Sequence, residues 1–254
     1  MKKTLLYLIL TLLWSSTYLS AEPTRLVVRA KAKDAKFIGS SIGGAMVIVR
    51  DGTTNELLAK GLTKGSTGNT TVLMREAHQR FKPLTDDNTA KFETSLDIDA
   101  PTFVTVEVIA PYSKRQAAVT SSTQLWLIPG KHIDGDGLIL EIPGVVIDIL
   151  SPQTHERIPL QNNMQLEIKA NVVMMCGCPV QEKGIWDAKD FEVMAVLKKG
   201  DQVHNIPLKI THKTSTFSAM ATLSEGGTYD LTVYAYSAKT GNTGVDKTSF
   251  ILQE

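Results

Sequence analysis

Tyr229-Asp230-Leu231-Thr232-Val233-Tyr234-Ala235-Tyr236 alternates along its length, and Leu166, Ile168, Ala170, Val172 and Met174 occupy every second position while Glu167, Lys169 and Asn171 face the other way. A period of two places one set on one face of an extended strand; a helix would scatter the same residues around its axis. A half-buried strand needs a second layer against its apolar face. Val, Ile, Leu and Thr are abundant and only 6% of residues are aromatic, which supports β-structure. The chain therefore reads as all-β, and its length suits two domains of about 100 residues each.

Residues 1–21 have the three parts of a secretory signal: Lys2 and Lys3, an apolar run from Leu5 to Trp14 interrupted by Thr11, and small Ser20 and Ala21 before Glu22. Cleavage is expected after Ala21, and the apolar run is too short to span a bilayer comfortably. No later segment is long and apolar enough to cross a membrane. Removing Lys2 and Lys3 from the 27 basic residues leaves 25 against 26 acidic ones. A near-neutral mature chain argues against nucleic acid or an anionic membrane surface as main partner, since both favour concentrated positive charge. The expected location is outside the cytosol, in the periplasm if the source is a Gram-negative bacterium.

The mature chain divides at Pro143-Gly144, giving residues 22–142 and 145–254. In the first part, strands are expected over Leu26–Ala32, Ala45–Arg50, Phe92–Asp99, Thr102–Ile109, Gln124–Ile128 and Leu138–Ile142, with Glu56–Gly61 as a short return arm. Met74–Phe81 is the best helical candidate, and Gly61–Thr71 reads as an exposed loop. Val47-Ile48-Val49-Arg50-Asp51, then Thr54-Asn55-Glu56-Leu57-Leu58-Ala59 and Thr63-Lys64-Gly65, resemble the strand, turn and return strand of a transthyretin-like, carboxypeptidase-regulatory β-sandwich. The resemblance implies a non-catalytic module that packs, binds or presents.

In the second part, strands are expected at Val145–Leu150, Leu166–Met174, Phe191–Leu197, Asn205–Ile210, Phe217–Leu223 and Tyr229–Tyr236. Lys239-Thr240-Gly241-Asn242 turns the last hairpin and Thr248–Leu252 returns. Gly227-Thr228-Tyr229 and Gly241-Asn242-Thr243-Gly244 resemble the last two strands of bacterial immunoglobulin-like domains. That resemblance implies a tyrosine corner at Tyr229, whose hydroxyl caps a loop carbonyl.

Chemistry concentrates at Met174-Met175-Cys176-Gly177-Cys178-Pro179, which holds both cysteines of the chain. Such a close pair cannot join distant strands. On a continued strand Met174, Cys176 and Cys178 would share a face, and with Met175 nearby they form a soft-ligand set for Cu(I), to which His204 or His212 could add nitrogen. A Cys176–Cys178 disulfide competes, either as a redox couple or as a structural cap on the strand end. Zinc lacks a second ligand pair at familiar spacing. Trp186, in the loop after the pair, either shields a metal, contacts a partner or fills the core.

Weaker signals stay in view. Asp134-Gly135-Asp136-Gly137 is reminiscent of a calcium loop but lacks the remaining oxygen ligands, so a tight turn between strands is expected, with His132 exposed beside it. Asn69-Thr70-Thr71 matches a glycosylation acceptor. Arg75, Glu76 and His78 read as a solvated face, and Asp187 and Asp190 as turn residues. No nucleophile elbow, phosphate-cradling loop or zinc-protease helix occurs. The expectation is a non-enzymatic binding or accessory protein presenting loops to an envelope protein or small ligand, with copper handling or thiol–disulfide exchange at the cysteines as the alternative.

Overall fold

Inward-facing residues at alternate positions build both halves of the molecule, as the sequence pattern requires. A computed structural model of the chain describes residues 22–162 and 164–253; the expected signal, residues 1–21, lies outside the described residues. The first half contains β1 (Glu22–Ala32), β2 (Met46–Asp51), β3 (Leu57–Leu62), a short helix α1 (Thr70–Met74), β4 (Phe92–Ile98), β5 (Thr102–Ala110), β6 (Val119–Leu127) and β7 (Ile133–Ile142). These strands form two sheets, β4-β1-β7 and β3-β2-β5-β6. Val104, Val106, Val108 and Ala110 of β5 are fully buried between them. β7 returns parallel to β1, so the first and last strands of this sandwich are neighbours.

The second half contains β8 (Val145–Ser151), β9 (Glu156–Pro159), β10 (Met164–Met174), β11 (Glu192–Lys199), β12 (Gln202–Pro207), β13 (Lys209–Ile210), β14 (Thr216–Leu223), β15 (Gly227–Tyr236) and β16 (Thr243–Gln253). One sheet has the order β13-β14-β10-β8 and the other β12-β11-β15-β16-β9. In immunoglobulin lettering the first sheet is D-E-B-A, and β11, β15 and β16 are C, F and G. The fold is thus two β-sandwiches in tandem, the second immunoglobulin-like. The Tyr229 hydroxyl donates to the Glu225 carbonyl at 2.8 Å, which is the corner the sequence led us to expect.

Three local expectations are corrected. The helix lies at Thr70–Met74 rather than Met74–Phe81, because Asn69 caps it: its side-chain oxygen accepts from the Thr71 and Val72 amides. The supposed glycosylation acceptor is therefore also the helix cap. Asp134-Gly135-Asp136-Gly137 is not a turn between strands but a bulge within β7. Pairing with β1 passes from Leu26↔Ile133 directly to Val28↔Leu138, which leaves residues 134–137 looped out. Residues 205–210 are split, with Pro207 ending β12 before the two-residue β13 begins.

β7 ends at Ile142 and β8 starts at Val145, with Pro143 and Gly144 between. A single cluster of buried side chains includes residues of both sandwiches, Ala35, Ile142, Val145, Met175 and Cys176 among them. Among the described residues no helix is long and apolar enough to cross a membrane.

Candidate functional site

Strand β10 stops at Met174, and Met175 and Cys176 form a turn. The Gly177 amide donates back to the Met174 carbonyl at 2.7 Å, and the Met174 amide donates to the Cys178 carbonyl at 3.0 Å. Gly177 sits at φ 77°, where a side chain would be strained. Val173 then bridges Pro179, which completes the reversal. A glycine flanked by two cysteines thus reverses the chain, so Met174, Cys176 and Cys178 do not share one strand face.

Cys176 and Cys178 are bonded to each other, and no free cysteine is present. Cys176 is 1% exposed and Cys178 6%. In this bonded form neither sulfur is the thiolate that binds soft metals, so the alternative realised is the Cys176–Cys178 disulfide. Met174 is a fully buried core residue, and the Met175 methyl packs against Gly144, so neither thioether is open to solvent. His204 and His212 do not join them; among the described residues no three His, Cys, Asp or Glu side chains converge on a metal-sized site.

The turn lies where the two sandwiches meet. A Cβ placed on Gly144 would stand 2.7 Å from the Met175 methyl, and one on Gly177 would stand 3.4 Å from Ile42 of the first sandwich. Trp186 is 7% exposed, and its indole N–H donates to the Asp34 carbonyl at 2.8 Å. The core-filling expectation for Trp186 is thus realised against the neighbouring sandwich. Asn242 is fully buried at the same joint: its oxygen accepts from the Gly144 amide at 2.8 Å and its nitrogen donates to the Lys33 carbonyl at 3.0 Å. Lys114 donates to both oxygens of Asp148 at 2.9 Å, with Gln116 donating to one of them. In the sequence Asn242 read only as a hairpin turn residue, and Asp34 and Lys33 carried no signal, because their partners are far away along the chain.

Charges around the joint follow local causes. The Lys189 amide holds the Asp187 carboxyl below the usual range, as befits a residue capping the short turn Ala188–Asp190. Partial burial pushes the Asp34 carboxyl up, with Lys31 opposing. Asp190 pairs with Lys239 at 2.8 Å. These groups order loops; none is aligned with a nucleophile.

A second concentration of polar groups sits on the first sandwich, where residues 78–87 cover one face of the small sheet and leave an open cleft of about 650 Å³. Arg29 is buried there and donates to the carbonyls of Thr89, Ala90, Gly135 and Asp136. Burial pulls its guanidinium below the usual value, with Asp136 opposing most strongly. The Asp136 carboxylate accepts from the Leu84 and Thr85 amides and the Thr85 hydroxyl. Asp134 pairs with Arg25 at 2.9 Å, so the two acids of the supposed calcium loop serve a cation and a backbone segment. At the rim, His78 lines the cleft and Glu76 pairs with Lys82, while Phe81 is 86% exposed under the Arg80 guanidinium.

No family model matches the chain, and no curated protein matches it. Among solved structures it is similar to an engineered protein at 18% identity, covering 47% of this chain and 22% of that one, with a TM-score of 0.33. It is also similar to the fibronectin(III)-like modules of Clostridium thermocellum CbhA at 12% identity, covering 94% and 92% of the two chains, with a TM-score of 0.29. The chicken interferon gamma receptor alpha chain matches at 10% identity over 92% and 98%, with a TM-score of 0.31. The immunoglobulin-like assignment of the second half rests on its own strand order and tyrosine corner.

Proposed function

We propose that this chain is an exported, non-enzymatic binding or accessory protein of the cell envelope, periplasmic if the cell is Gram-negative. A transthyretin-like sandwich and an immunoglobulin-like sandwich, joined through a buried seam, present an edge and loops to a protein partner. The signal-like residues 1–21 support export, and a disulfide suits an oxidising compartment.

The observation that carries the binding reading is the free edge of β6. Among the described residues β6 pairs within its sheet with β5 alone, over nine consecutive residues without a register shift. Val119-Thr120-Ser121-Ser122-Thr123-Gln124-Leu125-Trp126-Leu127 contains neither a charge nor a proline. The other sheet edges among the described residues are blunted: β3 carries Lys60, β4 Glu93 and Asp97, β7 its bulge, β8 Asp148, β9 Glu156 and Arg157, β13 Lys209, and β12 ends in Pro207. A long uncharged edge is a template for another strand, since alternate backbone N–H and C=O groups point away from β5. An extended segment of a partner adds there by backbone pairing, the mode of strand augmentation. Trp126 stands 60% exposed beside that edge with its ring 5.1 Å from Phe103, an anchor of the kind that dominates protein contacts.

Cross-linking and co-purification from the envelope fraction test this. Wild type should retain a partner that Ser122→Lys and Trp126→Asp both lose, while Met220→Asp on the second sandwich retains it. Equal capture by all four proteins, or no partner at all, overturns the proposal. Copper handling has no observation in its favour while the sulfurs are bonded and buried.

A further inference from the structure

The turn Met175–Cys176–Gly177 faces two ways. Toward its own sandwich it continues β10 and is held by the Met174 amide and carbonyl. Toward the joint, Met175 packs against Gly144 of the linker, and Gly177 faces Ile42 of the first sandwich, which a Cβ added at Gly177 would meet at 3.4 Å. The disulfide spans this turn, with the Cα atoms of Cys176 and Cys178 held 5.4 Å apart. The side-chain polar links across the joint include Asn242 to Gly144 and Lys33, Trp186 to Asp34, and Lys114 and Gln116 to Asp148. The shape of one small turn therefore bears on how the two bodies meet.

We propose that the Cys176–Cys178 bond is a reducible clasp on the joint between the sandwiches. With the bond closed, the turn stays wedged against Gly144 and Ile42, and the two halves move as one body. With the bond reduced, the turn relaxes and the halves reorient about Pro143-Gly144. The reductant is a dithiol. One of its thiolates attacks a cysteine sulfur, the Cys176–Cys178 bond breaks, and the displaced thiolate takes a proton. The second thiol of the reductant, after giving up its proton, breaks the mixed disulfide and frees the other cysteine, which is protonated in turn. Two electrons and two protons pass to the protein, and the reductant leaves as its own disulfide.

Both sulfurs are buried, so a dithiol reaches them only after the joint opens. The contacts of the joint then protect the bond, and by linkage the bond protects the contacts. A clasp confined to its own sandwich would show no such coupling. Asn242 separates the cases, because it bonds the linker and the first sandwich through Gly144 and Lys33.

The test is dithiothreitol reduction of the purified native chain, with acid quench and counting of alkylated thiols by mass spectrometry. Asn242→Ala should speed thiol appearance about fivefold to tenfold, the factor that one or two lost hydrogen bonds confer on an opening equilibrium. Tyr229→Phe, altered in the body of the second sandwich, should leave the rate nearly unchanged. Reduced wild type and the Cys176→Ser/Cys178→Ser variant should keep their β circular dichroism yet show a larger radius of gyration by X-ray scattering. In a Trp126→Phe background of the chain cleaved after Ala21, the Trp186 emission should shift to the red. The proposal is overturned if Asn242→Ala is reduced at the wild-type rate, or if the bond resists dithiothreitol until the protein unfolds. Unchanged scattering and emission after reduction overturn it too. So does loss of the β signal, since the bond would then serve the second sandwich alone.

Discussion

The indole N–H of Trp186 and the backbone carbonyl of Asp34, 152 positions apart in the chain, meet at 2.8 Å across the seam between the sandwiches. Asp34 holds a left-handed conformation, φ 55°, which an Asp tolerates better than a branched residue. Trp186→Phe keeps most of the ring but removes the donor, and should lower the unfolding free energy in urea by about 1 kcal/mol. Trp186→Ala also empties the seam and should cost about 3–5 kcal/mol. A neutral Trp186→Phe would show that the bond does not help to hold the halves together.

Tyr229 stacks on Phe250 with ring centroids 5.3 Å apart while its hydroxyl caps Glu225. Tyr229→Phe retains the stack and strips the cap, so its cost isolates the hydroxyl. The expected loss is about 1 kcal/mol, read from the urea midpoint at unchanged slope.

Asp136 gives the fold an acid-sensitive contact. Burial alone would raise its carboxyl, but the Leu84 amide, Thr85 and Arg29 together outweigh that and hold it below the usual carboxylate range. A depressed folded value means that the ionised form stabilises the fold. The contribution is complete above the ordinary Asp value of about 3.9 and is lost as pH falls through the lower folded value. Asp136→Asn should cost about 2 kcal/mol at neutral pH and flatten the fall in stability below about pH 4. Parallel acid profiles for wild type and variant would refute this assignment.

Arg29 pins the segment over the small sheet through four carbonyls. Arg29→Met should leave those oxygens without their donor, at a cost of about 2 kcal/mol or more. Hydrogen exchange should quicken at residues 84–90 well before it changes in β10 or β15. Uniform acceleration across both sandwiches would place Arg29 in the global core instead.

The sequence by itself determined what depends on neighbours one and two residues away. Period-two alternation set which faces of β10 and β15 are buried, and the Gly241-Asn242 pair marked the reversal between β15 and β16. The Tyr229 corner was implied by the resemblance of Gly227-Thr228-Tyr229 to immunoglobulin-like strands, and its acceptor proved to lie four residues back. Asn69 was also readable in principle, since a polar cap before an apolar run starts a helix; here the surrounding Gly, Ser and Thr outweighed it in a reading by composition.

Only the tertiary structure decided where the cysteine turn lies and what it touches. Spacing shows that Cys176 and Cys178 are close, but burial is a property of everything packed around them. Ile42, Gly144 and the β10 turn come together because two sheets and a two-residue linker bring distant segments into one seam. Likewise Asp134-Gly135-Asp136-Gly137 became a bulge because β1 offers its ladder on both sides of it, and Arg29 and Leu84 then claimed its carbonyls and carboxylate. Local geometry is written in adjacent residues, whereas solvent exclusion and the pairing of distant polar groups follow from the packing of the whole chain.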